Sequence, residues 1–207
     1  MTLSPEFVGA WQRRSIAIGD DAPDEPARVL WLQGPDAFAD LRIPNDPSGT
    51  IDAFAGITTY EPPALTWHHT LDWNGSFAGY DCGVIEWNGP EMIERGEFER
   101  DGAKIAYEEV WCRVDRGAIG LVLTATHAMV VRIGNHCLAL RDRRRAGGEF
   151  DVRHAQISDT KWNDVSVLGD GAELPRLPVE LPNEWTVGAA VAIDGTEWRV
   201  AERWGEL

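Results

Sequence analysis

Short runs of β-branched, aromatic and aliphatic residues alternate with Gly, Pro, Asn and Asp along the chain. These runs recur at intervals of about 8–12 residues, a spacing typical of β-sandwiches and β-barrels. Segments with helical periodicity are hard to find. The pattern predicts strands at Val8–Ile18, Arg28–Gln33, Phe38–Ile43, Phe54–Tyr60, Leu65–Trp73, Tyr80–Trp87, Met92–Phe98, Lys104–Val114, Leu121–Thr126, Met129–Ile133, His136–Arg141, Phe150–Ser158, Ala189–Ile193 and Glu197–Arg203.

The breaks between these runs predict how the strands connect. Gly134-Asn135 and Asp194-Gly195 each separate two runs, and both dipeptides favour two-residue hairpin turns. The other breaks are also short, so successive strands are expected to be neighbours in an up-and-down meander. The segment Leu168–Glu184 contains three prolines, which cannot supply regular ladder hydrogen bonds, and we expect a loop there.

A meander of this length exposes two sheet edges unless its first and last strands meet, and closure removes that aggregation hazard. With 207 residues, the chain has a length at which all-β folds often form one domain. The sequence therefore predicts an all-β protein with one domain over residues 1–207. The expected architecture is an antiparallel up-and-down meander closed into a barrel of about 8–12 strands. A split into two subdomains stays open.

The first strand carries a motif, Gly9-x-Trp11, preceded by the short turn-like stretch Ser4-Pro5-Glu6. This stretch resembles the opening of lipocalin-like, calycin-type barrels, as a distant branch of that family. The resemblance implies that Trp11 plugs the closed end of the barrel and that an arginine from the last strand, Arg199 or Arg203, lies over it. A second motif of the Thr-Asp-x-Tyr type and a C-terminal helix are missing from the pattern.

Charge and composition limit the partners. The formal net charge of −15 repels nucleic-acid phosphate and anionic lipid, so we expect neither nucleic acid nor membrane as a partner. The N-terminal residues lack a secretion signal, and no long apolar run predicts a membrane span. Cys82, Cys112 and Cys137 are an odd number and widely spaced, which indicates no disulfide framework and favours a reducing cytoplasm. The oligomeric state stays open.

Alternation along the strands separates the side chains into two faces. Arg13 shares a face with Trp11, His69 shares one with Trp67, and Glu109 lies between Tyr107 and Trp111. We therefore predict a barrel interior that is a ligand site, with aromatic walls and three oriented polar groups. Its predicted residues are Arg13, Trp31, Trp67, His69, Trp73, Tyr107, Glu109 and Trp111.

Several functions fit such an interior. The leading hypothesis is an intracellular protein that binds a partly apolar small molecule in this interior, and Arg13 favours an anionic one. The alternatives are an enzyme that uses His69 with Glu109 or Asp72 for proton transfer, and a protein-interaction module that uses exposed Trp and the arginine-rich run 141–148. The aromatic residues could equally fill a packed core around a satisfied polar network.

No cofactor or metal is predicted. His68 and His69 are adjacent in a strand, so their side chains point to opposite faces and cannot chelate one ion. A site built from His127, His136 and His154 with a carboxylate or Cys112 is geometrically possible, but no spacing rule supports it.

Overall fold

The chain folds into antiparallel strands from end to end. The structure is a computed structural model that describes residues 3–75 and 81–205. Short 3-10 turns lie at Arg144–Ala146 and Gly171–Glu173, and the described residues contain no α-helix. The strands are β1 (Gly9–Ile18), β2 (Ala27–Gln33), β3 (Ala37–Pro44), β4 (Asp52–Glu61), β5 (Ala64–Asp72), β6 (Asp81–Asn88), β7 (Glu91–Arg100), β8 (Ala103–Asp115), β9 (Gly120–Ala125), β10 (Ala128–Ile133), β11 (His136–Asp142), β12 (Phe150–Ser158), β13 (Lys161–Leu168), β14 (Ala190–Ile193) and β15 (Thr196–Trp204).

The first eight strands form a closed antiparallel barrel in chain order. Strand β1 pairs with β2 on one side and with β8 on the other, so Trp11 lies opposite both Trp31 and Arg113. The prediction of an all-β fold with a closed antiparallel meander is therefore confirmed. The first and last strands of the chain were expected to meet, and this was wrong. Eight strands already enclose an interior that side chains can fill, so the barrel closes at β8.

The remaining seven strands form a second sheet in the order β13-β12-β11-β10-β9-β15-β14. The predicted hairpins at Gly134-Asn135 and Asp194-Gly195 join neighbouring strands of this sheet with two-residue loops. Strand β13 was not among the predicted strands; half of its eight residues are polar, and five of the eight are exposed. The predicted start of β6 at Tyr80 lies outside the described residues.

Three apolar clusters form the core of the protein, and one of them joins the two sheets. One fills the barrel, and a second lies between the outer surface of the barrel and the second sheet. The third covers the far side of the second sheet, where the proline-rich segment places Leu174, Leu177 and Leu181 over the strands. Arg132 and Arg153 anchor that segment by donating to its backbone carbonyls.

An arginine does lie over Trp11, but it is neither of the two expected from the end of the chain. The guanidinium carbon of Arg113 in β8 is 4.4 Å from the Trp11 ring centroid. Arg199 and Arg203 lie in β15 of the second sheet, where Arg203 donates to the carbonyl of Pro182. The correction follows from barrel closure, because β8 is the strand that lies beside β1.

Candidate functional site

The barrel interior has two unlike halves, and one of them is packed with tryptophan. The ring centroid of Trp31 lies 6.0 Å from that of Trp11, 5.7 Å from that of Trp67 and 5.5 Å from that of Trp111. All four side chains are buried, and the void beside them is only about 10 Å³. This half is a packed core with no room for a ligand.

The other half of the interior holds a cavity of about 530 Å³. It reaches the surface beside Asn74 and Glu97, which are both exposed. Six carboxylates line it, together with two cationic side chains and several aromatic rings. The lining consists of Ile16, Arg42, Asp52, Phe54, His69, Asp72, Asn74, Gly75, Asp81, Cys82, Glu94, Glu97, Phe98, Tyr107 and Glu109.

A β-bulge places His69 and Asp72 on the same face of β5. The register between β4 and β5 passes from Gly56 opposite His69 to Ala55 opposite Leu71, which leaves Thr70 as the extra residue. Such an insertion reverses the faces of the residues that follow it. Gly56 permits the bulge, because a Cβ at this position would lie 1.9 Å from the His68 carbonyl oxygen. Asp72 therefore points inward, contrary to simple alternation.

Two aspartates hold His69 inside the cavity. Its Nδ1 lies 3.0 Å from a carboxylate oxygen of Asp72, and its Nε2 lies 2.8 Å from one of Asp81. The imidazole also stacks on Phe54 at a centroid distance of 4.2 Å. Burial alone would lower the pKa of His69, but the hydrogen bonds and negative charges of the two aspartates outweigh burial and raise the pKa to about 9. His69 is therefore an imidazolium at neutral pH.

Buried arginines pair with the remaining carboxylates of the inner wall. Arg13 donates to Glu109 at 2.5 Å and makes two hydrogen bonds to Glu25, at 3.0 and 3.1 Å. Arg42 donates to Asp40 at 3.0 Å. Burial raises the pKa of Asp40 to about 6 despite this contact. These pairs satisfy the buried charges that a hydrophobic barrel could not otherwise tolerate.

Glu94 is the carboxyl group that lies between the two halves of the interior. The hydroxyl of Tyr107 donates to one of its oxygens at 2.8 Å, and the indole of Trp111 donates to the other at 3.1 Å. Burial, reinforced by the negative charge of Glu109, raises the pKa of Glu94 well above its ordinary value. Glu94 packs over Gly83, where a Cβ would lie 2.5 Å from the glutamate side chain.

Comparison with known proteins places this chain in a family. The family model described as Protein HRI1 matches residues 10–202. The chain belongs to the HRI1 family. A crystal structure of the uncharacterized protein YLR301w from Saccharomyces cerevisiae has the same fold, with a TM-score of 0.76 and 18% sequence identity over 94% of this chain and 98% of that one. No curated protein gives a significant match.

The HRI1-family barrel brings together only some of the residues predicted to form a ligand site. His69, Tyr107 and Glu109 line the cavity, and Arg13 binds Glu109 from behind. Trp31, Trp67 and Trp111 lie in the packed half. Trp73 lies elsewhere, because the bulge at Thr70 turns it outward against Phe150, at a ring-centroid distance of 5.6 Å.

The predicted site omitted Asp52, Asp81 and Glu97 of the cavity. It also omitted three polar residues that follow strand alternation, Asp40, Arg42 and Glu94. A signal for them was available, because Asp40 and Arg42 alternate with Phe38 in β3, and Glu94 alternates with Met92 in β7. Phe38 and Met92 are fully buried inside the barrel. Polar residues in step with such positions are expected to face inward as well.

The sequence offered two partners for His69 in proton transfer, and the structure brings one of them, Asp72, to 3.0 Å from the His69 Nδ1. His69 and Glu109 face the same cavity, but both ring nitrogens of His69 contact aspartates and Glu109 accepts from Arg13. Within residues 3–75 and 81–205, no group of three His, Cys, Asp or Glu side chains is placed to hold a metal ion. In the same part of the chain, no helix has the length and hydrophobicity needed to cross a membrane.

The arginine-rich run is engaged within the protein. Arg141 and Arg143 both donate to the buried carboxylate of Asp151. Arg144 donates to the backbone carbonyls of Asp72 and Trp73, at 2.7 Å each, and so ties the second sheet to the end of β5. These contacts account for three of the arginines without an external partner.

Proposed function

We propose that this protein binds a small organic cation in the cavity of its barrel. The observation that carries the proposal is the cavity of about 530 Å³ at one end of an otherwise packed barrel. Its size falls in the range of roughly 300–1,000 Å³ that is usual for small-molecule sites. Its aromatic walls and few oriented polar groups are also typical of such sites.

The charge of the lining favours a cation. Six carboxyl groups line the cavity against Arg42 and His69, and although the raised pKa of Glu94 favours its neutral form, the other five still outnumber the two cations. An ammonium group would reduce this repulsion, and its attraction to the carboxylates is stronger here than in water. The rings of Phe98 and Tyr107 add faces that attract a cation. The sequence had favoured an anion because of Arg13, but Arg13 is already bound to Glu25 and Glu109.

Two further aspects belong to the same proposal. A lipocalin-like relationship is supported by Gly9-x-Trp11 at the start of an eight-stranded barrel and by Arg113 stacked on Trp11. A cytoplasmic location is supported by the three cysteines, which are all free thiols.

The test compares two ligands that share an indole ring and differ in charge. We expect tryptamine to bind by isothermal titration calorimetry at neutral pH, and indole-3-propionate to bind more weakly or not at all. The Asp81→Asn variant should bind tryptamine roughly ten-fold more weakly, because one charged hydrogen-bond acceptor of the cavity is lost.

The control is Asp46→Asn, in which the altered side chain is fully exposed in the loop after β3 and should leave tryptamine affinity unchanged. Circular dichroism confirms that both variants fold. The proposal fails if neither indole binds, if the anion binds as tightly as the amine, or if Asp46→Asn weakens tryptamine as much as Asp81→Asn does.

A further inference from the structure

A second cavity, of about 640 Å³, lies outside the barrel in the cleft between its wall and the second sheet. Strands β1, β2 and β3 supply one side of this cleft, and β11, β12 and β13 supply the other. Elsewhere the same two surfaces meet through aliphatic side chains. Here the facing residues include two histidines, two glutamines, an asparagine and a serine.

The two histidines are His136 and His154, and strand register places them side by side. His136 pairs with Gln156, and His154 pairs with Leu138, which packs toward the barrel. Alternation therefore turns both imidazoles toward the barrel. Their rings are stacked, with centroids 6.2 Å apart and planes inclined by 20°.

Both imidazoles have a buried nitrogen without a hydrogen bond. These atoms are Nδ1 of His136 and Nε2 of His154, and neither has a partner among the residues that the structure describes. His136 is only 7% exposed. A buried polar atom left unpaired destabilises the fold, and leucine or valine at these positions would avoid that cost. These two nitrogens are closed to solvent, but both histidines line the cavity, so a ligand would reach the opposite edge of each ring.

We propose that this cleft is a second binding site, specific for a small organic carboxylate with an apolar body. Its carboxylate group would accept hydrogen bonds from His136 and His154 and lie near the guanidinium of Arg28. Leu30, Leu41 and Ile43 of the barrel wall would receive the apolar body. The site is separate from the barrel cavity, so it does not depend on the function proposed above.

The charges around the cleft favour an anion. Glu25 lines the cleft, but both its oxygens accept hydrogen bonds from Arg13. Arg28 is exposed and lines the same cavity, so it contributes a positive charge that this ion pair does not cancel. Asp115, at the end of β8, is engaged by the backbone amides of Gly117 and Asn135.

A carboxylate would also supply what the two imidazoles lack, which is a counter-charge. Burial lowers the pKa of both side chains, and that of His154 falls to about 4 because His136 and Arg28 add to the effect of burial. Only Asp115 opposes this shift, and it acts on His136. Binding of an anion should therefore take up a proton, and affinity should rise as pH falls, by at most roughly ten-fold per pH unit for each proton.

The test uses octanoate and its neutral analogue octanamide with the full chain. Calorimetry at about pH 7.5 and pH 6.0 should show octanoate binding more tightly at the lower pH, with proton uptake, and octanamide showing neither effect. Nitrogen-detected spectra of the histidine rings should show shifts of His136 and His154 on addition of octanoate.

Two variants locate the site. His154→Gln keeps a polar side chain and should weaken octanoate binding by about ten-fold or more, with loss of its pH dependence. Asp81→Asn in the barrel should leave octanoate binding unchanged. The proposal is overturned if octanoate does not bind, if octanamide matches it at both pH values, or if Asp81→Asn affects octanoate while His154→Gln does not.

Discussion

The barrel cavity and the outer cleft treat buried histidine in opposite ways. The His69 side chain in the barrel is 4% exposed, and His136 in the cleft is 7% exposed when the whole residue is counted. Burial opposes the charged form in both places, yet the pKa of His69 is raised to about 9 and that of His136 is lowered. The difference lies in Asp72 and Asp81, which contact His69 directly. Neighbouring carboxylates, and not depth, decide the charge of an imidazole in this protein.

The two regions are linked by one side chain. Arg13 donates to Glu109, which lines the barrel cavity, and to Glu25, which lines the cleft. Its own side chain is 5% exposed. The acidic cavity and the more basic cleft therefore share one buried ion cluster, in which Arg13 pairs with a carboxylate of each.

The largest effect is expected from removing that shared cation. Arg13→Met keeps the unbranched aliphatic part of the side chain but leaves buried Glu109 with only the long contact to Arg42, at 3.9 Å, so the free energy of unfolding should fall by about 3–5 kcal/mol. Urea denaturation measures the change. The double variant Arg13→Met with Glu109→Gln should recover part of the loss, because the uncompensated carboxylate is then gone.

The matched control is Arg14→Met, at the next position of the same strand. Arg14 also pairs with a glutamate, Glu91, but its side chain is 64% exposed. Exposed pairs contribute about 0–1 kcal/mol, so this variant should be nearly as stable as the natural protein. Equal losses in Arg13→Met and Arg14→Met would break the comparison between buried and exposed pairs.

Strand alternation was enough to predict most of the barrel. It placed Trp67, His69, Tyr107 and Glu109 on inward faces, because these residues share period-two positions with large apolar side chains. The meander was predictable for the same reason, since short turns make consecutive strands neighbours. The alternation of a single strand is enough to predict which side chains face inward wherever its pairing with neighbouring strands contains no bulge.

The candidate sites depend on features that alternation does not contain. A single extra residue at Thr70 turned Asp72 inward and Trp73 outward, and a bulge is visible only once two strands are paired. The cleft depends on how the second sheet packs against β2 and β3. That contact joins segments about a hundred residues apart, so neither the cleft nor the stacking of His136 on His154 could be predicted from one strand at a time.

We expect the loss of folding stability at alkaline pH to come from His69. Its folded pKa of about 9 lies above the ordinary value of 6.5, so its stabilisation is complete below about pH 6.5 and is lost as pH rises through 9. Solvent reaches Asp81, and we therefore expect a loss of only about 1–2 kcal/mol. Asp81→Asn should flatten the decline, as measured by urea unfolding at several pH values.

The control for that profile is His68→Gln, because His68 is exposed and contacts Thr59 on the outside of the barrel. This variant should keep the alkaline decline of the natural protein. A decline that survives Asp81→Asn unchanged, or disappears in His68→Gln, would assign it to another group.

The smallest effect is expected at acidic pH, where part of the loss of stability should come from His154 in the cleft. The folded pKa of His154, about 4, lies below the ordinary value of 6.5, so the unfolded chain takes up the proton first and stability falls as pH drops from 6.5 toward 4. For this half-buried ring we expect about 1 kcal/mol. His154→Gln should remove that part of the decline, measured as the difference between the two pH profiles.

Asp40 and Glu202, whose pKa values are raised to about 6 and about 7, change stability with pH in the opposite sense, but they do so equally in the natural protein and in the variant. Identical profiles for the two proteins would mean that the cleft does not hold His154 neutral, and the contrast with His69 would fail.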